Sequence, residues 1–171
     1  MLTLDLHCDE ALPKLWREAC PDSSYFELWC RRAVDYLHES NVSAVADKVE
    51  ISVLITSADA IQLLNRDYRD KDAPTNVLSF PSGMPELDSV QALGDIVFCA
   101  EVVHSEAEAQ LKAPLDHWAH LIVHGTLHLL GLDHETDQDA DAMEAAEIQI
   151  LSASGIKNPY LEAVAQPILN S

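Results

Sequence analysis

The sequence predicts an α+β (mixed α/β) fold, a small, mostly four-stranded mixed sheet covered by about five helices. Three observations lead there. Apolar residues alternate with polar ones in several short stretches, and segments with a helical apolar period lie between them. The chain is 171 residues long, enough for one domain with a real core, and it carries no internal repeat or low-complexity tract. Residues 1–171 are therefore expected to form a single domain.

Residues 2 to 8 alternate as a first strand, and with no basic region ahead of an apolar stretch they are not a signal peptide. A helix is expected over 24 to 40. Ser24 and Glu27 form a capping box, and Phe26, Trp29, Cys30, Ala33, Val34 and Leu37 keep the helical period. Val49, Ile51, Val53 and Ile55 alternate as a strand, with Leu54 suggesting burial on both faces. Ser57 caps a helix running to about Arg69, with Ile61, Leu64 and Tyr68 on its inner face.

Asp72 to Thr75 reads as a turn, residues 76 to 80 as a short strand ended by Pro81, and residues 81 to 91 as a surface loop. A strand follows over 94 to 99, then a helix from about Glu101 to Gln110. Pro114 opens a long central helix, since its fixed φ suits a first turn. A last amphipathic helix spans roughly 137 to 153 and is closed by Gly155.

Composition removes several classes of protein. No apolar run approaches ~18 uninterrupted residues, so no membrane span is expected. Cys8, Cys20, Cys30 and Cys99 contain no C-x-x-C pair and read as reduced thiols of a cytoplasmic protein. The net charge of −19 is unevenly spread: eight of the ten basic residues lie between Lys14 and Lys71, and seven carboxylates fall between Asp133 and Glu147. That field repels free polyanions. The acidic stretch is expected to be a solvated helix start.

The run His124-Gly-Thr-Leu-His128-Leu-Leu-Gly131-Leu-Asp133-His134 carries the chemistry. Four residues apart on a helix, His124 and His128 share one face. Gly131 ends the helix, and the returning chain presents His134 to the same point. Three neutral nitrogen donors with one position left open suit a catalytic zinc, one Zn2+ per chain, though not zinc alone among divalent metals. The long central helix thus bears the expected metal site. Asp133 or Glu135 could orient a ligand ring from behind. His117 and His120, on the same side of the helix, read as satisfied core or surface histidines.

This spacing is also that of the metzincin proteases, which carry a glutamate general base after the first histidine. Here that position is Gly125, and losing such a base costs on the order of 10²–10⁴ in rate.

Three ordered blocks then point to one family. Besides the histidine run there are Leu64-Asn-Arg66-Asp-Tyr68-Arg69 with Asp72 and Pro74 to Pro81, and Gly94-Asp95-Ile96; Asn158-Pro159-Tyr160 adds a C-terminal match. Over about residues 48 to 160 the chain resembles the YbeY family, metal-dependent endoribonucleases of bacterial ribosomal RNA maturation. The resemblance implies a single-strand-specific endoribonuclease acting on the 3′ end of 16S rRNA and in ribosome quality control. It implies His124, His128 and His134 as metal ligands and Arg69 as the functional arginine. Arg69 and His124 are then the expected catalytic residues, and Arg66, Arg69 and Lys71 a small positive patch for substrate. The implied partners are ribosomal RNA, the small ribosomal subunit and an Era-type GTPase. Leu132 departs from the family, many members of which have tyrosine there.

Two other classes stay open on the residues: a zinc-dependent hydrolase of a peptide or amide bond, and a non-catalytic ribosome assembly factor with a structural metal.

Overall fold

In a computed structural model, which describes residues 1–41 and 44–161, the chain runs β1 (Leu2–Cys8), α1 (Lys14–Ala19), α2 (Ser23–Ser40), β2 (Lys48–Thr56) and α3 (Ala58–Arg69). It continues through β3 (Val77–Pro81), β4 (Val90–Cys99), α4 (Ala100–Ala109), α5 (Pro114–Leu129) and α6 (Asp137–Ser152). The sheet order is β1-β2-β4-β3. β1 and β4 flank β2 in parallel, and β3 runs antiparallel to β4 at one edge. This is the mixed four-stranded sheet expected from the sequence, with six helices among the described residues in place of about five.

Alternation along the strands sorts the two faces. Val49, Ile51, Val53, Ile55, Ile96 and Phe98 join α2, α5 and α6 in the main core. Phe26, Phe98 and Trp118 knit it together, with ring centroids 5.5–5.7 Å apart. On the opposite face Val97 and Cys99 join Ile61 of α3 and Leu78 of β3 in a smaller cluster, which Leu54 also packs against. Leu54 thereby covers the second face, as its place in an otherwise alternating strand suggested.

Four local expectations need correction. The short α1 was not foreseen: its six residues include no buried side chain and so show no apolar period. The cap of α2 is Asp22, whose carboxylate accepts from Tyr25 N–H, while Ser24 donates to that carboxylate and Glu27 pairs with Arg31. Tyr68 is not an inner residue of α3. It is 63% exposed and lies edge-on against Phe80, whereas the buried polar residue of α3 is Asn65. β4 begins at Val90, four residues before Gly94, because Val90, Gln91 and Ala92 pair with Lys48, Val49 and Glu50 of β2.

α5 lies in the middle of the helical layer and is buried along most of its length. Gly125 lets it close on the sheet edge. A Cβ there would lie 3.0 Å from Ile96 Cγ2, 3.3 Å from Ser79 Oγ and 3.4 Å from Val77 Cγ2. Ser79 Oγ donates instead to the Gly125 carbonyl at 3.0 Å, fixing β3 beside the helix turn that carries His124 and His128.

Candidate metal centre and substrate cleft

α5 ends in a Schellman turn. Leu132 N–H reaches back to Leu127 C=O and Gly131 N–H to His128 C=O, with Gly131 at a φ of 93°. This turn swings His134 back over the helix end. The ring centroids of His124 and His128 are 4.6 Å apart, those of His128 and His134 4.9 Å, and those of His124 and His134 5.8 Å. The three histidines singled out in the sequence therefore lie together.

Their hydrogen bonds dictate how the rings point. His124 Nδ1 lies 2.5 Å from Glu147 Oε1, and His128 Nδ1 lies 3.0 Å from the Leu132 carbonyl. Both partners only accept, so each Nδ1 carries the proton and each neutral ring keeps a bare lone pair on Nε2. The two Nε2 atoms face one another at 3.1 Å. Two lone pairs at that distance repel unless a cation lies between their directions. Two nitrogens sharing a tetrahedral zinc would stand about 3.3 Å apart, so this pair of Nε2 atoms fits such an ion. His128 is held neutral, its pKa lowered to about 4 first by burial and then by His124 and His134. The part of residue 132 that matters is its backbone carbonyl, which any side chain supplies, so leucine in place of tyrosine leaves this bond intact.

Glu147 is the functional group that sequence reasoning missed. It was counted with the solvated acidic stretch, but it is fully buried, facing α5 from α6. Its Oε1 accepts from His124, and its Oε2 accepts from His120 at 3.1 Å and from the Tyr160 hydroxyl. Burial opposes its ionisation, yet the bonds from His120 and His124 outweigh that and lower its pKa to about 2. The signal was present. Glu147 sits in the apolar stripe of α6, among Met143, Ala146, Ile150 and Leu151. Donor atoms of His120, His124 and Glu147 all lie within 4.8 Å of one another, a group that could hold a metal ion.

Asp133 and Glu135 sit differently. The Asp133 carboxylate accepts from His134 N–H and lies 4.0 Å from His134 Nδ1, and Glu135 lines the cleft from its exposed rim. His117 stands apart from the centre, bonding Glu106 at 2.8 Å, and that carboxylate also accepts from Asn76. His117 thus bolts α5 to α4 and to the start of β3, whereas His120 belongs to the network beside His124.

The histidines open onto a cleft of about 910 Å³ whose other wall is the end of α3 and the edge strand β3. Arg69 and Lys71 line it. Arg69 Nη2 donates to Ser79 C=O at 2.8 Å and Nη1 to Tyr68 C=O at 3.2 Å, and the guanidinium lies 5.3 Å from the Phe80 ring centre. These partners are neutral, so its positive charge is left for the cleft. Arg66 turns away and pairs with Asp67 at 3.1 Å. The loop between is pinned by Asn65 to Ala73 C=O and by Gln62 to Asp72, which sets the end of α3 against β3.

Comparison with known proteins gives a consistent answer. The family model described as Endoribonuclease YbeY matches residues 17–155. A protein of that name from Idiomarina loihiensis is 42% identical over 162 residues, covering 95% of this chain and 93% of its own. One from Colwellia psychrerythraea is 46% identical over 142 residues, covering 83% and 89%. One from Halorhodospira halophila is 53% identical over 116 residues, covering 66% and 75%. A Thermotoga maritima protein solved in solution shares the fold at a TM-score of 0.53 and 22% identity, covering 88% of this chain and 87% of its own.

Proposed function

The chain belongs to the YbeY endoribonuclease family, and from that premise we propose that its cleft binds single-stranded RNA and hydrolyses a phosphodiester bond beside the three histidines. The observation that carries the reading is the 3.1 Å approach of the His124 and His128 Nε2 atoms at the mouth of a cleft that also holds Arg69.

His124, His128 and His134 would hold the ion, and zinc suits three neutral imidazoles best. The His120–His124–Glu147 group serves the reading less well. Its atoms are already joined at hydrogen-bond lengths, and its carboxylate is sealed from the cleft. When bound, the metal supplies Lewis-acid polarisation and a water of lowered pKa. His128 is oriented by its bond to the Leu132 carbonyl, and His124 by Glu147. Arg69 offers a charged fork to a phosphate and to the extra negative charge that develops on it in the transition state. Lys71 adds a point charge at the cleft wall, and Arg66, already paired, contributes least.

Peptide hydrolysis is disfavoured by the same geometry. A peptide substrate would add to the open edge of β3 through backbone bonds. Pairing with β4 turns Val77, Ser79 and Pro81 outward, yet Asn76 Oδ1 occupies Val77 N–H, Arg69 occupies Ser79 C=O, and Pro81 has no N–H. Nor is there room at Gly125 for a glutamate base. A purely structural metal sits poorly with a ligand ring, His134, that is more than half exposed at the cleft.

A net charge of −19 becomes −17 with a divalent ion, which still repels RNA. The reading therefore includes presentation of RNA by the small ribosomal subunit, with an Era-type GTPase as a further partner, in maturation of the 16S rRNA 3′ end. It treats residues 1–171 as one cytoplasmic domain. Among the described residues no helix is long and apolar enough to cross a membrane.

The test is direct. Zinc-loaded protein is incubated with end-labelled single-stranded RNA, the same RNA as a duplex, and an unstructured polypeptide. Cutting of the single strand alone is expected, and lost with His124→Ala. Polypeptide cleavage with intact RNA would overturn the proposal.

A further inference from the structure

The structure assigns Glu147 as the positioning residue of the metal centre, with Tyr160 setting its second oxygen from the C-terminal side. The inference rests on the metal reading above. Glu147 is fully buried on α6 and receives three donors: His124 Nδ1 on Oε1, and His120 Nε2 and the Tyr160 hydroxyl on Oε2. A carboxylate locked this way fixes His124 in the tautomer whose Nε2 lone pair faces the cleft. It also raises the basicity of that nitrogen.

Tyr160 is itself held in place. Its backbone N–H donates to Asn158 Oδ1 at 2.9 Å, and Lys112 Nζ donates to the Pro159 carbonyl at 2.7 Å. Asn158-Pro159-Tyr160 thus forms a strut that runs from the turn between α4 and α5 to the carboxylate behind the ligand ring. Through it a segment 26 residues beyond His134 (160 − 134) bears on the metal site.

The experiment measures zinc affinity of the folded protein, by competition with a chromophoric chelator, for wild type, Glu147→Gln and Tyr160→Phe. Glu147→Gln is expected to weaken zinc binding 10–100-fold, and Tyr160→Phe to weaken it several-fold in the same direction. Far-ultraviolet circular dichroism would confirm that each variant is folded. Equal affinity in wild type and Glu147→Gln would overturn the assignment. Wild type that binds no zinc would instead remove the metal reading beneath it. Should Glu147→Gln fail to fold, nitrogen-15 spectra of His124 in wild type decide: protonated Nδ1 with bare Nε2 supports the assignment, and the opposite tautomer overturns it.

Discussion

Arg69 Nη2 donates to the Ser79 carbonyl at 2.8 Å, and this one bond both occupies an outward carbonyl of the edge strand and holds a guanidinium in the cleft that the histidines line. The carbonyl neutralises nothing, so the site keeps a full positive charge where a phosphodiester would lie.

Replacing Arg69 with Glu is expected to abolish RNA cleavage with zinc content unchanged. Arg69→Lys keeps the charge but loses the planar fork. It should lower kcat/KM on the order of 10²-fold. Steady-state cleavage of a short single-stranded RNA with metal analysis checks both, and a Glu variant that still cuts would remove Arg69 from the mechanism.

Chelation should leave a folded protein. The main core is made by apolar residues of β1, β2, β4, α2, α5 and α6, none of which needs the histidine rings to be drawn together. The expected result is an unchanged far-ultraviolet spectrum, a lowered Tm and no cleavage, restored on adding zinc. Loss of secondary structure on chelation would mark the metal as structural.

Metal-free protein should weaken in acid in two steps. His128 has its pKa lowered to about 4 by burial and its histidine neighbours, against an ordinary value of 6.5. Between those values the unfolded chain binds more protons, so stability is full above pH 6.5 and falls as pH drops toward 4, by about 2 kcal/mol. Glu147 acts in the same sense lower down, its contribution present above pH 4.5 and lost toward about 2. Urea unfolding at pH 7, 6, 5 and 4 should show falling midpoints, and a flat series would contradict the burial of His128.

Gly125→Glu should not create a peptidase. The new Cβ alone would meet Ile96 Cγ2 at 3.0 Å, with Ser79 and Val77 behind it. A cost of about 2–3 kcal/mol in unfolding free energy is expected. Wild-type stability in this variant would mean that α5 and β3 can part readily.

Binding to naked RNA should be weak and only mildly salt-dependent. Arg69 and Lys71 are the cationic side chains lining the cleft, so log K against log salt should have a slope of about −1.4 for a single strand. A slope several times steeper would place an RNA track elsewhere on the protein.

The clustering of His124, His128 and His134 was legible because every step that gathers them is local. Helix pitch superposes His124 and His128, and a glycine at position 131 permits the left-handed turn that returns His134. The alternations that became β1 and β2 were readable for the same reason, since a strand's two faces follow from its own residues. Asp22 and Ser24 show where local reading blurs: both are good caps, two residues apart, and only the observed bond distinguishes them.

Glu147, Gly125 and the edge of β3 were decided elsewhere. A glutamate in an apolar stripe is an anomaly until α6 is laid across α5 and brings it to His124. Gly125 reads as a missing base until the sheet edge is seen pressed against it. Spacing along one helix fixes which side chains share a face. The contact between two helices, or between a helix and a strand far away in the chain, depends on how whole surfaces pack, and no short stretch of residues encodes that.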